Sequence, residues 1–209
     1  MAKSKINILV VFYSMTGNVA KLAKAVAEGA GSAGDTEVRI RQVGELIPKD
    51  KWNDVMKKVK EELKDIPIAT MDDLEWANGI AFGTPTRYGN MSAQMKNYID
   101  MTGGLWQKGA LENKVAGIFT STNTQHGGQE TTIITSMVPL FHLGMILVGV
   151  PYSEQRLFSM DPVSGGSPYG ASSVSGPMAN RDPTDNDLEI AKTLGKRIAG
   201  IAKKVAGKL

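Results

Sequence analysis

The stretch Ile6-Asn7-Ile8-Leu9-Val10-Val11-Phe12-Tyr13 is followed directly by Ser14-Met15-Thr16-Gly17-Asn18. The first part is apolar and rich in β-branched side chains, which is typical of a buried strand. Apolar residues then recur at helical spacing over 19–27. The pattern predicts a strand, a tight loop and a helix, with hydroxyl and backbone N–H groups at the helix N-terminus, where a phosphate binds well. The 14–18 loop has one glycine and no lysine, so it matches neither a P-loop nor a dinucleotide-binding fingerprint. We therefore expect a ligand with a single phosphate.

Further apolar runs and helical patterns alternate along the rest of the chain. Strands are predicted at 6–13, 36–43, 79–84, 114–121 and 145–150, and helices at about 18–31, 91–102, 129–143 and 184–206. This alternation predicts an α/β fold, a doubly wound five-stranded parallel sheet of order 2-1-3-4-5 with helices on both faces. The crevice of such a sheet opens at the carboxyl ends of strands one and three, next to the 14–18 loop. We expect residues 1–209 to form a single domain.

Two connections are longer than this fold requires. Residues 44–78 include a helical pattern near 50–64 and a shorter one near 71–77, and residues 151–183 are rich in glycine, serine and proline. Long connections in a compact domain are usually functional or packed against a partner. We therefore expect subunit contacts from segment 164–177 and from the apolar face of the 50–64 helix (Trp52, Val55, Met56, Val59 and Leu63).

Composition narrows the function classes. The chain has 209 residues, a net charge of +3 and no cysteine. The missing cysteines exclude disulfides, thiolate nucleophiles and cysteine-ligated zinc or iron–sulfur centres, and we predict no metal site. The lysines are scattered rather than arranged in a stripe, so we expect no nucleic-acid partner. There is no secretory signal and no apolar run of about 18 residues, so we expect a cytoplasmic protein without a membrane span.

Two further loops carry candidate binding groups. Strand three leads into Gly83-Thr84-Pro85-Thr86-Arg87-Tyr88-Gly89-Asn90-Met91, and strand four into Thr120-Ser121-Thr122-Asn123-Thr124-Gln125-His126-Gly127-Gly128-Gln129-Glu130. The first offers a guanidinium and a ring to a planar ligand, although it also reads as a turn with a helix cap. The second is rich in hydroxyl and amide groups; a flexible surface loop is the alternative. Because the three loops meet at one edge of the sheet, the layout favours a flavin mononucleotide (FMN) site.

The chain resembles the WrbA family of flavodoxin-like NAD(P)H:quinone oxidoreductases (type IV) over nearly its whole length. The resemblance rests on the three loops and on two further motifs, Thr102-Gly103-Gly104-Leu105-Trp106 and Gly165-Gly166-Ser167-Pro168-Tyr169-Gly170-Ala171. The resemblance implies a homotetramer that binds FMN non-covalently. It also implies that NADH or NADPH donates two electrons, which reduce a quinone to the hydroquinone by ping-pong hydride transfer.

The resemblance also implies site residues. Around the FMN phosphate it implies Ser14, Met15, Thr16, Gly17, Asn18 and Val19; along the ring Thr86, Arg87 and Tyr88; as a third wall Ser121, Thr122, Asn123, Thr124, Gln125 and His126; and, elsewhere, His142. Trp106 matches the position that lines the quinone pocket. Thr16 stands where the family commonly has an aromatic residue associated with the nicotinamide cofactor. No dedicated acid or base is assigned, because water can supply the proton. His142 is the candidate for such a role, and a core or interface histidine is the alternative.

Other functions use the same features. A flavodoxin-type electron carrier would share the fold, but carriers of that type favour a strongly acidic surface, unlike the +3 balance here. A non-enzymatic interaction module is a second alternative, against which the lack of a helix-turn-helix pattern or basic stripe argues. Reduction of nitro or azo compounds is a third, because it uses the same hydride chemistry.

Overall fold

The computed structural model describes residues 5–206. A parallel sheet forms its centre, in the order β2-β1-β3-β4-β5, which confirms the predicted topology. The two ends of the predicted single domain, 1–4 and 207–209, lie outside the described residues, and the single domain stays a prediction. The strands are β1 (Ile6–Phe12), β2 (Thr36–Gln42), β3 (Gly79–Pro85), β4 (Val115–Thr122), β5 (Ile146–Leu147) and β6 (Ala171–Val174).

The fifth position of the sheet is shared by two strands, and here the prediction of one strand over 145–150 is wrong. Strand β5 is two residues long and pairs with the start of β4, at Val115 and Ala116. Strand β6 pairs in parallel with the end of β4, from Phe119 to Thr122. The chain leaves the sheet after β5 and returns at 171, inside the connection expected to stay irregular. All four residues of β6 are buried, so this part of segment 164–177 is core and cannot be a subunit contact.

The helices are α1 (Asn18–Gly31), α2 (Asp54–Glu62), α3 (Met71–Trp76), α4 (Ala93–Asp100), α5 (Gly103–Gln107), α6 (Gln129–His142) and α7 (Asp185–Ala206). Short 3-10 turns lie at Lys49–Lys51 and Gln155–Phe158. The helix predicted at about 91–102 is α4, and the short helix α5 that follows it was not predicted. No helix in the described range is both long and apolar enough to cross a membrane.

Helices cover both faces of the sheet. Alternate side chains of β1 divide between the faces: Ile8, Val10 and Phe12 pack with α1 and α7, whereas Leu9 and Val11 pack with α3 to α6. Helices α1 and α7 approach so closely that a Cβ on Gly195 would lie 2.0 Å from the carbonyl oxygen of Val26. This contact explains why the sequence has no side chain there.

Connection 44–78 packs on its own chain. Met56, Val59 and Leu63 of the α2 segment are buried, and the Gln42 side-chain amide donates to the carbonyl oxygens of Leu63 (2.9 Å) and Ile66 (2.7 Å). Three members of the apolar 50–64 face are therefore occupied within the chain, and the expectation that this face mainly contacts another subunit is wrong. Val55, 52% exposed, is the member that stays open.

Candidate functional site

A cavity of about 380 Å³ lies at the carboxyl ends of β1, β3 and β4, where the three predicted loops meet. We call it the crevice. Its size is in the range of sites that hold a small molecule or cofactor. Eleven of its lining residues come from the three loops or the strand ends before them. The lining residues are Ser14, Met15, Thr16, Asn18, Val19, Pro85, Thr86, Arg87, Ser121, Asn123, Thr124, Gly127, Ser175 and Ala179.

The first loop presents the N-terminal end of helix α1 to the crevice. Gly17 caps helix α1 with a φ of 97°, a left-handed conformation that glycine adopts without strain. The buried Ser14 hydroxyl accepts the backbone N–H groups of Gly17 (3.1 Å) and Ala20 (3.3 Å). The N-terminus of α1 therefore points at the crevice and supplies positive potential there.

Asn18 supports the fit of this loop to a phosphate-bearing ligand. Its side-chain oxygen is buried and has no hydrogen-bond partner among residues 5–206, although the residue lines the crevice. Buried polar atoms are normally paired, and the two ends of an asparagine amide exchange by a half-turn. A ligand in the crevice would give this amide the partner that the described residues do not provide.

The second loop is a tight turn joined to the first. Arg87 and Asn90 exchange backbone hydrogen bonds across Tyr88, which has a φ of 54° and is fully exposed. The Arg87 guanidinium donates to the Met15 sulfur at 3.2 Å and to the Thr86 carbonyl oxygen at 2.8 Å. Thr86 and Arg87 thus line the crevice. Tyr88 stands at its rim and does not line it.

The third loop divides between two cavities. Ser121, Asn123 and Thr124 line the crevice, and Thr122 is buried behind them, where its hydroxyl donates to the Thr124 carbonyl oxygen at 2.7 Å. Gln125 and His126 instead line a separate open cavity of about 400 Å³. The structure therefore brings Ser121, Asn123, Thr124 and, further along the loop, Gly127 to the crevice, and it turns Gln125 and His126 away from it.

Sequence reasoning missed the wall that the 151–183 connection provides. Ser175 follows β6 directly and donates from its hydroxyl to the carbonyl oxygen of Thr122 at 3.0 Å. Arg181 holds this turn in place by donating to the carbonyl oxygens of Val174 (2.7 Å) and Val163 (2.8 Å). Strand β6 is only four small residues long, too short for a periodicity signal, so no pattern marked Ser175 or Ala179. Pro85 and Gly127 were quoted in the loops but were not among the predicted contacts.

Two predicted residues lie away from the crevice of their own chain. His142 is exposed at the last residue of α6, whose N-terminal end borders the crevice. A helix of this length spans about 20 Å, at 1.5 Å per residue. Trp106 is 63% exposed on α5, beyond the far end of α4. Neither side chain lines the crevice.

The crevice has a mixed polar and apolar lining that carries one positive charge. Among the described residues that line the crevice, Arg87 has the charged side chain. The other lining residues are mainly hydroxyl, amide and small apolar groups. Within residues 5–206 no group of three or more histidine, aspartate or glutamate side chains is arranged to hold a metal ion. The charge and the loop N–H groups suit an anionic, hydrogen-bonding ligand.

Comparison with known proteins agrees with this architecture. Residues 6–154 match the model of the NADPH-dependent FMN reductase family. A WrbA-like flavodoxin structure from Agrobacterium tumefaciens shares the fold, with a TM-score of 0.67, 23% identity and coverage of 96% of this chain and 99% of that one. "NAD(P)H dehydrogenase (quinone)" of Methanosarcina acetivorans is 48% identical over 98% of this chain and 99% of its own length. The protein of the same name from Aromatoleum aromaticum is 46% identical over 93% and 95%. This chain belongs to the NADPH-dependent FMN reductase family and, within it, to the group of proteins named NAD(P)H dehydrogenase (quinone).

Proposed function

We propose that this protein is an FMN-dependent NAD(P)H:quinone oxidoreductase that reduces quinones to hydroquinones by two electrons. The observation that carries the proposal is the crevice, in which the N-terminal end of helix α1 faces two polar loops at the switch point of the sheet. The names of the full-length relatives support the same activity.

The residues of the crevice fit FMN. The Ser14 hydroxyl, the Asn18 amide and those loop N–H groups that do not already donate to Ser14 would hold the phosphate. Thr86, Arg87 and the 121–124 segment would flank the flavin ring, and Ser175 and Ala179 would close the remaining side. Bound FMN would supply the redox chemistry at this site, the two-electron exchange between a reduced nicotinamide and a quinone.

The chain's own part is to bind, orient and shield. Both nicotinamide and quinone must reach the flavin through the open side of one crevice, so the oxidised nicotinamide leaves before the quinone enters. We therefore expect ping-pong kinetics with either NADH or NADPH as donor. The Arg87 charge would stabilise the electron-rich reduced cofactor. Water can provide the proton, since no titratable acid or base lines the crevice within the described residues.

The assembly we propose is a homotetramer. His142 and Trp106 lie outside the crevice of their own chain, so any contact that they make with cofactor or quinone would have to come from a neighbouring copy. Exposed apolar side chains near them, Val138 and Phe141 on α6 and Met101 after α4, would be covered in such an assembly. Light scattering that finds a monomer at micromolar concentration would contradict this part of the proposal.

Steady-state kinetics of the FMN-reconstituted protein test the activity. NADH and NADPH are each varied at several fixed concentrations of benzoquinone, and parallel double-reciprocal lines are the expected result. An electron carrier would instead be reduced stepwise by dithionite and would hardly oxidise NAD(P)H in the presence of quinone. Trp106→Ala should raise the KM for quinone with little change in FMN affinity; unchanged quinone kinetics would remove Trp106 from the quinone site.

A further inference from the structure

The Glu45 carboxylate lies outside the crevice and is saturated with hydrogen bonds. Its Oε2 accepts the Tyr13 hydroxyl (2.9 Å) and the Lys60 ammonium (2.9 Å). Its Oε1 accepts the Gln94 amide (2.8 Å) and the backbone N–H groups of Leu46 (2.9 Å) and Ile47 (3.1 Å). Only 11% of the side chain is exposed. A largely buried charge is costly unless it is fully paired, so this carboxylate fixes the geometry of everything that donates to it.

The donors come from three separate elements. Tyr13 follows β1, Lys60 lies on α2, and Gln94 lies on α4, so one carboxylate joins the sheet end to two helices. Gln94 also donates to the Tyr13 hydroxyl at 3.2 Å, and the Lys60 ammonium lies 4.9 Å from the centre of the Tyr13 ring. The tyrosine is therefore held at its hydroxyl and over its ring.

Tyr13 immediately precedes the 14–18 turn, which is the first loop of the crevice. Its side chain is 1% exposed, and its backbone N–H donates to the Gly83 carbonyl oxygen at 2.9 Å. Helix α2 reaches the other side of the same turn, where a Cβ on Gly17 would lie 3.7 Å from a methyl group of Val59. Val59 directly precedes Lys60, so the ion pair to Glu45 also keeps this part of α2 against the turn.

We propose that Glu45 is a positioning residue for the FMN phosphate: through Tyr13, Lys60 and Gln94 it holds the 14–18 turn in its binding conformation before the cofactor arrives. The inference rests on the proposed function, because it concerns the same crevice. Its physical basis is preorganisation, since a turn that is already ordered loses less conformational entropy when the phosphate binds. A 14–18 turn that is no longer held by these hydrogen bonds would lose that conformational entropy when FMN binds, and the affinity for FMN would fall.

Riboflavin separates positioning of the phosphate turn from a general structural role, because it has the ring and ribityl chain of FMN but no phosphate. We expect Glu45→Gln to raise the Kd for FMN about tenfold, and the Kd for riboflavin about twofold or less, in fluorescence titrations of the apoprotein. Tyr13→Phe removes a single hydroxyl and should act in the same direction, with a rise of about threefold for FMN. This milder variant carries the test if Glu45→Gln does not fold.

Lys114→Met is the matched control. The Lys114 ammonium is also partly buried and donates to the carbonyl oxygens of Leu74, Glu75 and Ala77, but it lies before β4, at the opposite end of the sheet from the turn. The Lys114→Met variant should have a lower temperature of unfolding than the unmodified protein, and the ratio of its FMN and riboflavin Kd values should be unchanged. If the Glu45 and Tyr13 variants also leave that ratio unchanged, the positioning role is refuted while FMN binding and quinone reduction by the unmodified protein stand. If the unmodified protein itself fails to bind FMN, that result contradicts both the proposed function and the positioning role of Glu45.

Discussion

The Ser175 hydroxyl donates a hydrogen bond of 3.0 Å to the side-chain oxygen of Asn123. The two residues come from separate connections, one after β6 and one after β4, and both line the crevice. The 151–183 connection is therefore part of the candidate site. It enters the sheet as β6 and delivers Ser175 beside the third loop.

Ser175→Ala should weaken FMN binding without disturbing the sheet. The change removes the hydroxyl, whose one proton is shared between the Asn123 side-chain oxygen and the Thr122 carbonyl oxygen, while the backbone N–H of Ser175 still donates to the same carbonyl at 2.8 Å. We expect a rise of about fivefold in the FMN Kd, the size of one lost hydrogen bond. Ser153→Ala, at an exposed position of the same connection, is the control and should bind FMN as the unmodified protein does. Equal affinity in both variants would exclude Ser175 from the site.

Arg87→Met should lower the reduction potential of bound FMN. The guanidinium is the charged group among the described residues that line the crevice, and a positive charge favours the electron-rich reduced flavin. We expect a fall of about 30 mV, which for two electrons corresponds to about 1.4 kcal/mol. Dye-equilibration titrations measure this potential. Arg87→Lys keeps the charge and should retain most of the original value; if both variants shift alike, the hydrogen bonds of the guanidinium matter rather than its charge.

The crossing of α1 and α7 gives a prediction for stability. A Cβ at Gly195 would lie 2.0 Å from the Val26 carbonyl oxygen, so Gly195→Ala must push the helices apart. Overpacking of this kind costs about 2–3 kcal/mol in the free energy of unfolding. Gly200, on the same helix, has open space at its Cβ position, and Gly200→Ala should stabilise by about 0.5–1 kcal/mol. Chemical denaturation of the two apoproteins measures both; a neutral Gly195→Ala would mean that the crossing is looser than described.

Much of the fold and part of the site follow from the sequence because they depend on local patterns. The apolar run before Ser14 and the helical spacing after it predict β1, the turn and α1 as observed. The order of the sheet follows from the alternation of strands and helices, since parallel crossovers allow few arrangements. Thr86, Arg87 and the first residues of the third loop could be placed because a strand end fixes where the next residues lie.

The remaining differences between the sequence-based expectations and the structure come from long-range contacts that no local pattern encodes. Strand β6 exists because Ala171 to Val174 find the free edge of β4, and a glycine-rich segment gives no sign of that pairing. The sequence predicted that the apolar face of α2 contacts another subunit. Instead, Gln42 donates a hydrogen bond to Leu63 at the end of this helix, and Glu45 forms an ion pair with its Lys60, so α2 packs on its own chain. Gln125 and His126 follow Thr124 in sequence, yet the chain turns between them and directs the two later residues into another cavity.

Glu45 should make the stability of the apoprotein depend on pH in the acidic range. Burial by itself would raise the pKa of this carboxyl, but hydrogen bonds from the Ile47 N–H and from Lys60, Gln94 and Tyr13 outweigh burial and lower the pKa to about 2. Burial and the neighbouring Glu45 carboxylate raise the pKa of Tyr13, so its hydroxyl remains a donor throughout this range. In the unfolded chain the Glu45 pKa returns to its ordinary value near 4.5.

Because the folded pKa is the lower one, the contribution of Glu45 to stability is complete above about pH 4.5 and is lost as the pH falls toward 2. Glu45→Gln has no such titration. The difference in the free energy of unfolding between the unmodified protein and this variant should therefore be constant from pH 7 to about pH 5, and should shrink by up to about 3 kcal/mol at lower pH. Urea denaturation at a series of pH values measures it, without FMN, whose phosphate also titrates. Other acidic groups such as Asp73 are present in both proteins and cancel in the difference. A difference that stays constant down to about pH 3 would mean that the carboxylate is not held by its donors in solution as it is in the structure.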